Sequence, residues 1–484
     1  MKIQIKSVAQ ISPDQSVVCL VGKEDIPSFC NLTRQEKGYV LKKLRDREDY
    51  VYVNSYYKFT YFVMINRDLP VYRVFEDLRK KAASLKKLIK SNSHTEIVIA
   101  SDNSFDGVVE AFTEGLILSM YSFRKYKTQK EEEDKGSYPE KILLYGVNEK
   151  DKISWLSVLC EAVYKARDLI NEPPNYLNAS ALAREIKKLG SQAGYSVEVL
   201  NKGKIEALKM GGLLAVNRGS TDPPVFCILE WNPVEKVNSK PLVLIGKGVI
   251  YDTGGLNIKT DDQMAQMKTD MAGAATVAGV MYVLGKCQLP IHVIGLVPAT
   301  DNRPGGNAYV AGDILTMFNG TTVEVGNTDA EGRLILADAI SYAGKYSPEL
   351  IITVATLTGS AAMTFSNKAI AVMGNADEKY FRKLEEAGNE VYERVARLPF
   401  WEEYREMLKS DIADIKNVGG REAGAITAGK FLESFARHPF IHLDIAGTGM
   451  LKKDDFYRTK EGPGSALRLL ALFLKKLAIE SGKK

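Results

Sequence analysis

The chain changes its hydrophobic rhythm along its length. The first 18 residues alternate apolar and polar positions as a half-buried strand does, and short apolar runs at 16–22 and 96–100 read as further strands. Between those runs Leu78, Ala82, Leu85 and Ile89 recur at helical spacing. The opposite face of that helix carries Arg79, Lys80, Lys86, Lys87 and Lys90, read as a solvated face. A charged, apolar-poor run at 125–136 ends in glycine and predicts an exposed loop. Residues 152–170 are helical in pattern, and Asn171, Glu172, Pro173, Pro174 and Asn175 stop them.

From there strand and helix patterns alternate. Residues 241–246 form a buried strand, 263–286 a single long helix rich in Ala, Met and Gly, and 291–297 the next strand. A strand at 321–325, a helix at 334–345 and a strand at 350–355 follow. Continuous apolar strands separated by helices predict a largely parallel sheet covered on both faces. The expected fold is α/β, with a mixed, largely parallel sheet and helices on both faces in a C-terminal domain at 173–484. A connecting helix at 151–172 joins it to a smaller N-terminal α/β domain at 1–150.

Composition narrows the function classes. With 65 basic and 60 acidic residues the net charge is only +5, so bulk charge demands neither nucleic acid nor membrane. Cys19, Cys30, Cys160, Cys227 and Cys287 are scattered and never in CxxC spacing, which argues against a disulfide framework or a thiolate zinc site. The N-terminus lacks the apolar core of a secretory signal, and no stretch reaches the roughly 18 apolar residues of a membrane span. The default expectation is a cytoplasmic protein.

The unusual polar residues fall where strands end, the position at which open α/β sheets bind ligands. The strand at 241–246 runs into Lys247, Asp252, Gly254 and Gly255, with Lys259 shortly after. The strand at 321–325 runs into Asn327, Asp329, Glu331 and Arg333. Asp270 sits in an otherwise apolar stretch, and a buried carboxylate needs a cation. A salt bridge to Lys268 or a nearby arginine would serve as well as a metal. Asp252, Asp270, Asp329 and Glu331 together would carry four negative charges, which two divalent ions neutralise without histidine. Such a carboxylate-dominated set suits Zn, Mn, Co or Mg. His94, His292, His438 and His442 show no HExxH spacing, and His292 and His442 fall in expected strands as core residues. Neither a GxSxG elbow nor a dinucleotide loop occurs.

These residues resemble the leucyl (cytosol) aminopeptidase family. The resemblance rests on Lys247 at a strand end, Asp252 before Thr253, Gly254 and Gly255, Lys259, Met267 to Met271, and NTDAEGRL at 327–334. The separations fit too: 5 from Lys247 to Asp252, 7 more to Lys259, 18 from Asp252 to Asp270 and 59 more to Asp329. Segments 166–174, 355–359, 423–432 and 442–447 agree, so the likeness covers roughly 155–484.

The resemblance implies a metal-dependent aminopeptidase with two divalent ions per subunit, Mn or Zn ahead of Co or Mg. Asp252 and Glu331 would bridge the ions, Lys247 and Asp270 would complete the tighter site, and Asp329 the more exchangeable one. Lys259 would stabilise the oxyanion, and Arg333 would hold a bicarbonate acting as general base. Met267, Thr356, Gly359 and Ala446 would line the side-chain pocket, with Asn327 and the Leu357 backbone orienting the substrate. The expected substrates are short peptides with a free N-terminus, preferably Leu or Met, and the expected assembly is a homohexamer. Gly449 stands where a larger apolar residue is expected; Thr253 and Lys268 are milder departures. Two other readings are less favoured: a two-metal phosphatase or nuclease, which would want histidines and a basic groove, and DNA binding through the Arg79–Lys90 stripe.

Overall fold

A computed structural model describes residues 3–22, 26–46, 48–101, 106–128 and 136–481. Residues 125–128 of the charged run are exposed, and 129–135 lie outside the described residues. The chain divides into two compact units, Met1–Tyr164 with Glu390–Tyr392 and Asp454–Thr459, and Lys165–Asn389 with Glu393–Lys453 and Lys460–Lys484. The division falls inside the helix Lys150–Asn171.

The first unit holds a six-stranded sheet, ordered Gln4–Val8, Lys141–Tyr145, Glu96–Ser101, Val17–Val21, Phe59–Met64 and Tyr50–Asn54. Every neighbouring pair is parallel except the last, the hairpin of Tyr50–Asn54 with Phe59–Met64. In the helix Val71–Ser91, Leu78, Ala82, Leu85 and Ile89 are fully buried, as their spacing predicts. Its opposite face departs from the expectation. Arg79 is buried and its Nε donates to Glu114 Oε2 at 2.6 Å, across to the helix Val108–Ser119. The helices meet closely there because Gly115 has no side chain; a Cβ would lie 2.4 Å from Arg79 Cα. Of the basic stripe only Lys87 is fully exposed, which weakens it as a nucleic-acid surface.

The second unit is built on a nine-stranded, largely parallel sheet with helices on both faces. Its centre is four parallel strands, Phe440–Asp444, Leu350–Ala355, Leu242–Gly246 and Val293–Asn302, all buried. Gly248–Asp252 pairs in parallel with the end of Val293–Asn302. Alternation along the strands divides the faces. Val243, Ile245, Ile294 and Leu296 pack in one core with Leu334, Ile335 and Leu336 of the helix Glu331–Ala343. On the other face Gly295 meets Val277 and Met281 of the helix Ala272–Lys286.

Two expectations on this unit are corrected. The stretch 263–286 is three elements: a turn of helix Asp261–Met264, a 3-10 turn Met267–Met271, and the helix Ala272–Lys286. The break follows from close packing: Ala274 N–H donates to Lys247 O at 2.9 Å, and a Cβ on Gly273 would lie 2.1 Å from Val354 O. The helix therefore begins against the strand ends, and the residues before it turn away. The strand near 321–325, Thr322–Glu324, belongs to a separate three-stranded sheet with Ile314–Thr316 and Ile415–Lys416. Its polar positions, Thr321, Thr322 and Glu324, are half-buried, which suits the middle strand of a small half-covered sheet rather than a buried strand of the large one.

Candidate active site

The carboxyl ends of the central strands meet at one cavity of about 330 Å³. Lys247 stands between the strands Leu242–Gly246 and Gly248–Asp252, with Asp252 closing the second. Gly254 and Gly255, at φ +85° and +65°, turn the chain back so that Lys259 N–H donates to Thr253 O at 2.9 Å. Asp270 comes from the 3-10 turn, and Asp329 and Glu331 from the loop leading into the helix Glu331–Ala343. Gly332 leaves room for the lysine: a Cβ there would lie 2.4 Å from Lys247 Cε and would push the side chain from its place.

Lys247 Nζ is 2.7 Å from Asp270 Oδ2 and 2.8 Å from Glu331 Oε1. Lys259 Nζ is 2.9 Å from Asp252 Oδ2 and 2.5 Å from Asp329 Oδ1. Asp270 does have a salt-bridge partner, but it is Lys247 and not Lys268, which pairs with Glu461 at 2.7 Å. Oxygens of Asp252, Asp329 and Glu331 lie within 4.8 Å of one another.

Two lysines against four carboxylates leave excess negative charge in a buried site. Burial, reinforced by Asp252 and Glu331, pushes Asp270 up to about 8 despite Lys247. Burial with Glu331 and Asp252 pushes Asp329 up to about 7 despite Lys259. Burial opposes charge on both lysines, yet the surrounding carboxylates hold them well above the usual lysine range. Such a set is short of positive charge, and its hard oxygen donors with one amine fit divalent cations.

Met267, Thr356, Leu357, Gly359 and Ala446 line the same cavity, with Lys247, Asp252, Lys259, Asp270, Asp329, Glu331 and Arg333. Gln263, Ala362 and Met450 join them, and the sequence reading did not include these. Gly449 has a steric reason: a Cβ would come within 2.9 Å of both Ile445 O and Thr356 Cγ2, while Met450 beside it reaches the cavity. Asn327 is placed differently from the expectation. Its Oδ1 accepts from Asp329 N–H at 2.7 Å, and it is absent from the cavity wall, so it shapes the loop. Leu357 N–H is taken up by Asp444 Oδ1 at 3.2 Å.

Three further residues hold the site, all missed from the sequence. Asn302 Nδ2 donates to Asp252 Oδ1 at 2.8 Å and Thr328 O at 3.1 Å. Asn417 accepts from Gly326 N–H at 2.7 Å, donates to Asn327 O at 2.8 Å, and its carbonyl accepts from Arg333 Nη1 at 2.7 Å. Asp444 accepts from Leu357 N–H, Ala446 N–H and the Thr358 hydroxyl, joining the two loops that carry the apolar wall. Strand ends could have pointed to Asn302 and Asp444. Asn417, 84 residues beyond Arg333, carries no local signal.

The chain is similar to known proteins over most of its length. Residues 164–471 match the family described as "Cytosol aminopeptidase family, catalytic domain". A probable cytosol aminopeptidase of Chlorobium limicola is 42% identical over 392 residues, covering 78% of this chain and 77% of the relative. Another from Chlorobaculum tepidum is 45% identical over 375 residues, covering 75% and 74%. Among solved structures, the bottromycin maturation enzyme BotP in complex with Mn superposes with a TM-score of 0.84 at 26% identity, covering 96% of this chain and 99% of that one.

Proposed function

The chain belongs to the cytosol aminopeptidase family of metal-dependent aminopeptidases, and from that premise we propose that its cavity removes the N-terminal residue of short peptides by two-metal hydrolysis. The carrying observation is the convergence of Lys247, Asp252, Asp270, Asp329 and Glu331 on one wall of the cavity. Lys247, Asp252, Asp270, Asp329 and Glu331 would hold the two ions between them. When bound, such ions supply Lewis acidity to the scissile carbonyl and to water, and a contact for the free α-amine.

The protein's own groups do the rest. Lys259, freed from part of its carboxylate pairing, keeps its charge and meets the developing oxyanion. Lys247 would hold an ion as a neutral amine, a form that nearby divalent charge would favour. Arg333, anchored on Asn417 O, presents its remaining donors to an anion such as bicarbonate, which takes the proton of the attacking water. Met267, Thr356, Gly359, Ala446 and Met450 form the wall for the departing residue. Thioether and small apolar groups there support a Leu or Met preference.

We also propose Mn or Zn as the native ions, with Co or Mg able to substitute, and the homohexamer and cytoplasmic location that the family resemblance implies. The Mn in BotP supports the first. Among the described residues no helix is long and apolar enough to cross a membrane. Metal analysis tests the reading: about two ions per chain are expected after dialysis against Mn or Zn. A chain that binds one ion or none would overturn it.

A further inference from the structure

His442 has no place in the chemistry above, yet it is fully buried in the strand Phe440–Asp444 beside the site. Strand periodicity puts it on the face of Phe440, which packs in one core with Leu334 and Ile335 of the helix Glu331–Ala343. It lies nearer the carboxyl end on that face, and Arg333, in the first turn of that helix, is close enough for its charge to act on the ring. Its Nδ1 is 2.8 Å from the hydroxyl of Thr353, its register partner on the neighbouring strand. Its Nε2 is buried and has no partner among the described residues. Arg333 Nε is likewise buried and unpartnered, although Nη1 of the same guanidinium is bonded to Asn417 O.

The two orphaned atoms are complementary. An arginine Nε–H can only donate, so a water that accepts from it and donates to His442 needs Nε2 to be the bare, accepting nitrogen of a neutral imidazole. That selects the tautomer with hydrogen on Nδ1, which donates to Thr353 Oγ1; the Thr353 hydroxyl hydrogen then turns to Ile441 O, 3.5 Å away. Burial and the charge of Arg333 push the His442 pKa down to about 3, so the ring stays neutral wherever the enzyme works. Leaving both atoms unsatisfied would be costly, and an ordered water between polar partners is the usual remedy.

We propose that His442 is a positioning residue for Arg333, its Nε2 accepting a hydrogen bond relayed through buried water from Arg333 Nε–H. Asn417 O and His442 then hold two sides of the guanidinium, and the remaining Nη donors are aimed into the cavity for the anion. The proposal deepens the anion role given to Arg333 above and rests on that reading.

The test uses the full-length, metal-loaded enzyme and its His442→Phe, His442→Gln, Arg333→Ala and Arg333→Ala/His442→Phe variants. Steady-state rates on Leu-p-nitroanilide over a bicarbonate series are measured, with melting temperatures and a high-resolution crystal structure of the parent. His442→Phe should lower kcat about 10–100-fold with KM within about 3-fold, the signature of a misaligned group rather than lost binding. It should also need more bicarbonate for half-maximal rate. Glutamine, which can accept at the same place, should restore most of the rate. In the Arg333→Ala background His442→Phe should change little, because its partner is gone. Equal losses in the Phe and Gln variants, an undiminished effect of His442→Phe without Arg333, or a parental kcat in His442→Phe would each overturn the proposal. Should the parent itself be inactive with every metal, the function reading fails. The crystal structure then decides alone: water between Arg333 Nε and His442 Nε2 upholds the relay, and its absence ends it.

Discussion

Asp252 and Asn302 are register partners at the ends of two parallel strands, and Asn302 Nδ2 donates to Asp252 Oδ1 at 2.8 Å. That bond fixes one carboxylate oxygen from the neighbouring strand, while Oδ2 faces Lys259. The same amide reaches Thr328 O, so one side chain ties a strand end to the loop carrying Asp329 and Glu331. A carboxylate held this way needs little reorganisation to take a metal ion. Asn302→Ala should therefore weaken metal affinity about 10–100-fold while leaving every ligand in place. Titration of the apo chain with Mn, followed by calorimetry, checks it; parental affinity would mean that Asp252 needs no such support.

The carboxylates and Lys259 should separate cleanly by phenotype. Asp270→Ala and Glu331→Ala are expected to lose metal and activity together. Lys259→Ala should keep its metal and lose about 10²–10³ in kcat, as when an oxyanion donor is removed. Metal content and turnover measured on the same preparations tell the two classes apart.

Met450 takes up the space at the pocket wall next to Gly449. Met450→Ala should lower kcat/KM for Leu and Met substrates about 10-fold relative to Ala substrates, the usual scale for lost apolar contact in a pocket. Gly449→Leu should be worse for all substrates, since its Cβ meets Ile445 O and Thr356 Cγ2. Kinetics on the three p-nitroanilides would show whether the loss is selective.

Asp338 offers a pH test away from the metal ligands. It is fully buried in the helix Glu331–Ala343, and its oxygens accept from Leu213 N–H at 2.9 Å and Phe318 N–H at 2.8 Å. Burial outweighs those bonds and pushes its pKa up to about 7. A raised folded pKa means that the native state keeps a proton the unfolded chain releases near pH 4. The stabilisation is whole below about pH 4 and is lost as pH rises through about 7. Asp338→Asn cannot titrate and turns one acceptor into a donor, so it should be less stable by about 1–3 kcal/mol at low pH. Its deficit relative to the parent should shrink between pH 5 and 7.5 in denaturant melts, and a constant deficit would show that Asp338 titrates normally.

Much of the site was legible because its chemistry is local in sequence. Lys247, Asp252 and Lys259 follow one strand, Asp329, Glu331 and Arg333 precede one helix, and apolar runs mark the strands between. The break before Ala272 was not legible, since it depends on how closely Gly273 meets Val354 and Lys247, a tertiary contact that helical periodicity cannot report. Arg79 read as solvent-facing because its partner, Glu114, lies in another helix 35 residues on. His442 read as an ordinary core histidine for the same reason: its unpartnered nitrogen, and the charge of Arg333 acting on it, follow from tertiary packing. Asn417 and Asp444 act by hydrogen-bonding the backbone of distant loops, which leaves no pattern of spacing to find.

The central claim is that this cavity binds a free N-terminus and cleaves behind it with the help of bound metal. Initial rates on Leu-p-nitroanilide and N-acetyl-Leu-p-nitroanilide, after chelation and after restoring Mn or Zn, test it most directly. The account predicts no cleavage of either by the chelated enzyme, restored cleavage of the free-amine substrate with metal, and none of the acetylated one. Cleavage that survives chelation, or equal rates on both substrates, would contradict it.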